Sequence, residues 1–181
     1  MIYMAPTENG YNEREGLVMF RDMRRIKQLL SMEDTVAVMV RCTNGVLACL
    51  GDEEYPYAVP LSYVYFNDKI YFHSAKTGHK IDAIIKNPKV SFTVVDEDTI
   101  VSEEYTTYFR SAIAFGKARI VEGDEWLEGF KALVNKYSGD QPEEGKLKAM
   151  ADGGNHAYLI AIDIEHITGK EAIEYVRNKG V

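Results

Sequence analysis

The sequence predicts a small, mainly β protein: a partly open antiparallel barrel flanked by a few helices. Three observations predict it. Runs of strand type, rich in Val, Ile, Tyr and Phe, outnumber the helical patterns, and most are joined by short turns. One of these runs, Tyr57 to Phe66, is apolar on both faces, as in a barrel strand or a sheet covered by a partner. No GxGxxG follows a strand, and there is no P-loop, HExxH or GxSxG, so a parallel dinucleotide-binding sheet is not expected.

Composition sets the frame. The chain has 181 residues, 46% hydrophobic with twelve Tyr, which suits one β-rich domain over residues 19–181. Residues 1–18 are polar and aperiodic and read as an N-terminal extension. The net charge of −7 and the lack of a basic, aromatic strand face argue against nucleic-acid binding. No apolar run reaches the roughly 20 residues that span a bilayer, and no signal-peptide pattern opens the chain. Cys42 and Cys49 fit neither a disulfide framework nor a metal spacing. The expectation is a cytoplasmic protein with two reduced thiols, no metal and no membrane.

In chain order, Met19 to Lys27 carries Arg21, Arg24, Arg25 and Lys27, either a solvated face or a patch for a phosphate-bearing ligand. Ser31 is an N-cap with Glu33 and Asp34 behind it, and the helix presents Val36, Met39 and Val40 on one face. Thr43-Asn44-Gly45 ends it. Val46 to Leu50 is a short strand, and Gly51 to Glu54 turns the chain into the strand Tyr57–Phe66. Asn67-Asp68 turns it back along Lys69 to Ala75, completing a three-strand meander. Pro60 lacks a ladder donor and belongs at an edge or bulge, where neighbouring backbone groups are free to bond a planar heteroaromatic ring.

Thr77-Gly78 then opens a helix that Pro88 stops. Its first turn is electrostatically inverted. Helix N-termini favour Asp and Glu, yet here stand His79 and Lys80, with Lys76 just before. An anion would reverse the sign of that interaction, because N–H groups and dipole both favour phosphate there.

Val90 to Val95 is the next strand, and Asp96 to Glu104 reads as an acidic exposed loop. Tyr105 to Val121 is long for one strand and bends or bulges at Gly116. Arg110 lies amid aromatic residues and needs a cross-strand carboxylate or a ligand anion. Asp124 caps an amphipathic helix whose stripe, Trp126, Leu127, Phe130, Leu133, Val134 and Tyr137, reads as core. Residues 138–155 are polar and Gly-rich, a candidate lid containing at most a short helix. His156 to Ile164 is a closing strand and Gly169 to Val181 a polar tail.

An ordered set of pieces resembles a known family. Tyr57-Ala58-Val59-Pro60-Leu61-Ser62-Tyr63, Ile70-Tyr71-Phe72-His73-Ser74-Ala75, Gly78-His79-Lys80-Ile81-Asp82, Arg110-Ser111 and Phe115-Gly116-Lys117-Ala118 are similar to the pyridoxamine 5′-phosphate oxidase-like split-barrel flavoproteins, most of all the nitroimidazole-resistance branch. The resemblance spans about residues 23–168. It implies an FMN-binding split barrel and a homodimer with FMN at the subunit interface. Tyr57, Ala58, Val59, Pro60, Leu61 and Ser62 would line the flavin ring, with His73 and Ser74 beside it. His79 and Lys80 would grip the phosphate, Arg110 would reach the flavin from the partner, and His73 would be either a proton donor or a wall of the flavin pocket. The tail lacks the arginine-bearing pattern that holds the substrate phosphate in the true oxidases, so vitamin B6 oxidation is not expected.

The function implied is an FMN-dependent oxidoreductase passing electrons from a small-molecule donor to an electron-poor acceptor such as a nitroimidazole. The alternatives are a flavin-binding or storage module without turnover, or a split barrel holding heme or a deazaflavin.

Overall fold

A computed structural model describes residues 20–178 of the chain. The extension expected over residues 1–18 lies outside the described residues. The first regular helix, α1 (Met32–Arg41), is capped as expected: Asp34 N–H donates to Ser31 Oγ at 3.0 Å. Its inward face is Thr35, Val38 and Met39, while Val40 is exposed.

Seven strands follow: β1 (Asn44–Leu50), β2 (Pro56–Ser62), β3 (Val64–Phe66), β4 (Lys69–Ala75), β5 (Lys89–Val101), β6 (Thr106–Val121) and β7 (Ala157–Glu171). They form one antiparallel sheet in the order β2-β1-β5-β6-β7-β4-β3. The helices are α2 (His79–Lys86), α3 (Gly123–Ser138), α4 (Glu143–His156) and α5 (Ile173–Asn178). The architecture is the expected mainly β split barrel with flanking helices, and the sheet does not close.

The expected single strand over Tyr57–Phe66 is two strands. β2 and β3 are separated by Tyr63 alone, yet they are the two opposite margins of the sheet. Two Cα atoms one residue apart lie within about 7 Å, so the sheet must curl until its margins meet at Tyr63. Beyond that corner they part, and the gap between them is the split.

Alternation along the strands feeds two cores. Leu47, Ile70, Phe72, Phe92, Ile160 and Ile162 point into the barrel, where Met39 of α1 and Ile81 and Ile84 of α2 join them. Val64, Tyr71, Leu159 and Ala161 point outward and are covered by Phe130 and Leu133 of α3 and Met150 of α4. The outer face at the other end of the sheet lies outside this second core; there Phe20 stacks on Phe115, 5.4 Å between centroids.

Several expectations are corrected here. The acidic segment Asp96–Glu104 is mostly strand: Arg41 holds Asp96 through two hydrogen bonds and Arg110 meets Glu97 at 3.1 Å, which pairs the two carboxylates at its start. The segment after α3 is a fourteen-residue helix, α4. It packs where Gly153 and Gly154 lie close against the Phe130 and Trp126 rings, so it is part of a core wall. Helix α3 starts at Gly123, with Glu122 as N-cap and no side-chain cap; Asp124 sits in its first turn. β7 runs on to Glu171, so Gly169–Glu171 is strand rather than tail, and Ala172 is buried. The irregularity in β6 falls at Phe115/Gly116, as its glycine predicts; a Cβ there would collide with the Asp163 carbonyl.

Candidate functional site

The split has two backbone margins. One is β2, which pairs only with β1. The other is the Phe72–Ala75 part of β4, which has β7 on one side and nothing from the sheet on the other, because β3 covers only Lys69–Tyr71. Both margins therefore offer peptide groups with no ladder partner, and such groups seek hydrogen bonds. Pro60 lies in β2, an edge strand, where its missing donor is tolerated.

The site residues expected on β2 divide by alternation. Tyr57, Val59 and Leu61 are half-buried and pack on the barrel core. Ala58, Pro60 and Ser62 are exposed on the outer face. The register extends that face across the sheet: Pro60, Val46, Thr93 and Ile113 form one row, and Ala58, Ala48, Ser91 and Phe115 the next. Val46, Ile113 and Phe115 are each 37–38% exposed, a high figure for mid-strand apolar side chains.

One end of the split is Tyr63. The other is a ring contact between β2 and α2. The His79 imidazole stacks on Tyr57 with centroids 4.1 Å apart, and its Nε2 accepts from the Asp52 N–H at 3.3 Å. Gly51 makes room for it, since a Cβ there would stand 2.8 Å from Nε2.

Helix α2 begins at Gly78, whose φ of 118° suits only glycine, and no side chain caps it. A Cβ at Gly78 would meet nothing within 4 Å, so the approach to the free N–H groups is open. Lys80 is half-buried, with Nζ 5.8 Å from the Phe72 ring centre, and burial lowers its pKa. Among the described residues no carboxylate pairs with it at ion-pair distance. A half-buried, desolvated cation beside an uncapped helix start is suited to an anion.

Ser74 and His73 part company. Ser74 is buried on the barrel face with Phe72, whereas His73 is exposed on the opposite face, 6.5 Å from the Phe130 ring. Arg110 lies elsewhere in the chain. It meets Glu97 at 3.1 Å and Glu171 at 3.7 Å, and its guanidinium lies 4.0 Å from the Tyr175 ring centre. Glu97 is a cross-strand carboxylate, one of the two partners foreseen for it. It lines a separate cavity of about 320 Å³ with Arg41, Asp96 and Glu171.

One site residue was missed from sequence. Tyr137 belongs to the apolar stripe of α3, but its hydroxyl accepts from Tyr63 N–H at 2.9 Å and reaches Tyr63 O at 2.8 Å. The only signal is a hydroxyl on the last residue of a helical stripe, which names no partner 74 positions away.

The split, its basic end and the open apolar face define a class of protein, and comparison with known proteins agrees. Residues 31–171 match the family model for pyridoxamine 5′-phosphate oxidase, and the chain belongs to that family. Among solved structures, a conserved hypothetical protein from Mycobacterium tuberculosis superposes with a TM-score of 0.72 at 20% identity, covering 88% of this chain and 94% of that one. A protein assigned to 5-nitroimidazole antibiotic resistance, from Bacteroides thetaiotaomicron, gives 0.67 at 21% identity, covering 79% and 86%. An FAD-binding protein from Mesorhizobium loti gives 0.59 at 28% identity, covering 80% and 97%. No curated protein matches.

Proposed function

We propose that the chain is a flavin-dependent oxidoreductase that holds FMN in the split and reduces a small electron-poor acceptor such as a nitroimidazole. The observation that carries the reading is the layout of the split: two unpaired strand margins, β2 and Phe72–Ala75, converge on an uncapped helix start bearing His79 and Lys80. A flavin has this layout in negative. Its ring rim carries donors and acceptors for backbone groups, and its phosphate suits the N–H groups of α2 with Lys80 as counter-ion. Bound there, FMN would supply two-electron redox chemistry that no side chain can.

The chain's own residues position and desolvate. Tyr57, Val59 and Leu61 form an apolar wall over the barrel core. The Tyr57–His79 stack ties the first turn of α2 to the β2 margin. Likeness to the Bacteroides and Mesorhizobium proteins supports the nitro acceptor and the flavin respectively.

The same reading includes a homodimer. The apolar rows across β2, β1, β5 and β6 face outward and stay part-exposed, with Phe20 stacked on Phe115 at 5.4 Å, and a second copy would bury them.

The test is the absorbance spectrum of the purified protein before and after added FMN and FAD, followed by anaerobic turnover with a reduced nicotinamide and a nitroaromatic. Flavin bands with acceptor-dependent oxidation support the whole reading. Bands without turnover leave only flavin binding, and a protein that refuses both flavins overturns the reading.

A further inference from the structure

Tyr63 is in an unusual position. It lies between two strands at opposite margins of the sheet, so its backbone N–H and C=O have no ladder to join. Both go to one side chain, the Tyr137 hydroxyl of α3. A phenol accepts through two lone pairs and donates one proton. Here it accepts from Tyr63 N–H, and its proton serves the carbonyls of Tyr63 and Thr43, both within reach.

The Tyr63 side chain is held separately. Its ring is fully buried, and its hydroxyl donates to Met39 O of α1 at 2.7 Å. Lys136 Nζ lies 4.4 Å from the ring centre and donates to Cys42 O. Loss of the Tyr137 hydroxyl would therefore free the backbone of the corner and leave its side chain anchored.

We propose that the Tyr137 hydroxyl is a positioning group for the split: by fixing the peptide groups of Tyr63 it sets the spacing at which β2 and β4 part, and so the fit of the planar ring held between them. The proposal rests on the flavin reading. It concerns the ring end of the site, since the phosphate end is built separately, where His79 of α2 stacks on Tyr57.

Tyr137→Phe is the variant, because Tyr137 is 40% exposed and Phe keeps every atom but the oxygen. The loss of hydrogen bonding at one corner predicts flavin affinity reduced about three- to tenfold. FMN and riboflavin should weaken by the same factor, because the phosphate grip is untouched, and the visible bands of the bound flavin should shift. The comparator is Glu125→Gln, which breaks ion pairs at the other end of α3 and should leave flavin affinity and bands unchanged. Hydrogen exchange at residues 61–64, without ligand, should be faster in Tyr137→Phe than in the parent or the comparator.

If Tyr137→Phe binds both flavins as the parent does, or no more weakly than Glu125→Gln, the positioning role is overturned. A loss confined to FMN overturns it as well, by placing the effect at the phosphate. If the parent binds no flavin, the flavin reading fails on its own. The exchange measurement still decides the corner: unchanged protection at residues 61–64 overturns the proposal.

Discussion

The imidazole of His79 lies face to face with the ring of Tyr57, 4.1 Å between centroids, and this contact joins the first turn of α2 to the β2 margin. It places Lys80, the next residue, over the barrel mouth rather than in open solvent.

Lys80→Met should therefore weaken FMN binding by about 1–3 kcal/mol, the range for a charge-assisted contact. Riboflavin, which has no phosphate, should bind equally to parent and variant. Fluorescence titration with both ligands makes the check. Equal losses for the two would remove Lys80 from a phosphate site.

His73 sits on the face of β4 opposite to Ser74 and Phe72. His73→Ala should leave the FMN dissociation constant within about twofold of the parent, a change of some 0.4 kcal/mol. If His73 donates a proton to the acceptor, turnover should fall at unchanged affinity. Steady-state rates beside binding constants separate these outcomes, and a large affinity loss would return His73 to the wall of the split.

The open apolar rows make an assembly prediction. Ile113→Asp puts a charge at the centre of the outer face, on a strand whose inward neighbours Ala112 and Ala114 are untouched. Sedimentation should show a dimer for the parent and a monomer for the variant, with similar thermal stability. A parent that sediments as a monomer would refute the dimer.

Arg119 binds two carboxylates at once, Asp163 at 2.6 Å and Glu125 at 2.8 Å, and Tyr71 donates to Glu125 at 3.0 Å. Arg119 holds the Glu125 pKa down to about 2. The folded value lies below the unfolded value of about 4.3, so the pair stabilises the fold above that pH and the contribution is lost as pH falls towards 2. Glu125 is one-third exposed, so solvent screening brings the effect to about 1–2 kcal/mol. Urea unfolding at pH 7 and pH 3 should show Glu125→Gln weaker than the parent at pH 7, with the gap narrowed to roughly half at pH 3.

Gly116→Ala tests the bulge in β6. The added methyl would meet the Asp163 carbonyl of β7, backbone that cannot move aside without breaking the ladder. A loss of roughly 2–4 kcal/mol is expected on denaturant unfolding, from overpacking against fixed atoms.

Local chemistry was legible in the sequence by itself. The Ser31 cap, the Gly78 opening of α2, the Pro60 edge and the Gly116 bulge each follow from one residue's donors, dihedrals or bulk, and each is in the structure. So was the basic helix start, because a misplaced charge is visible without coordinates. Pairing across long separations was not legible. The acidic stretch at Asp96 is strand, and Asp96 pairs with Arg41, 55 positions away. The run Tyr57–Phe66 became two opposite margins because the curl of seven strands, not its own pattern, decides which neighbour each half finds. The Tyr137 hydroxyl reached Tyr63 for the same reason. Residue types set what each segment can do locally; only the closed path of the chain brings distant donors and acceptors within 3 Å, and that is where the split acquires its shape.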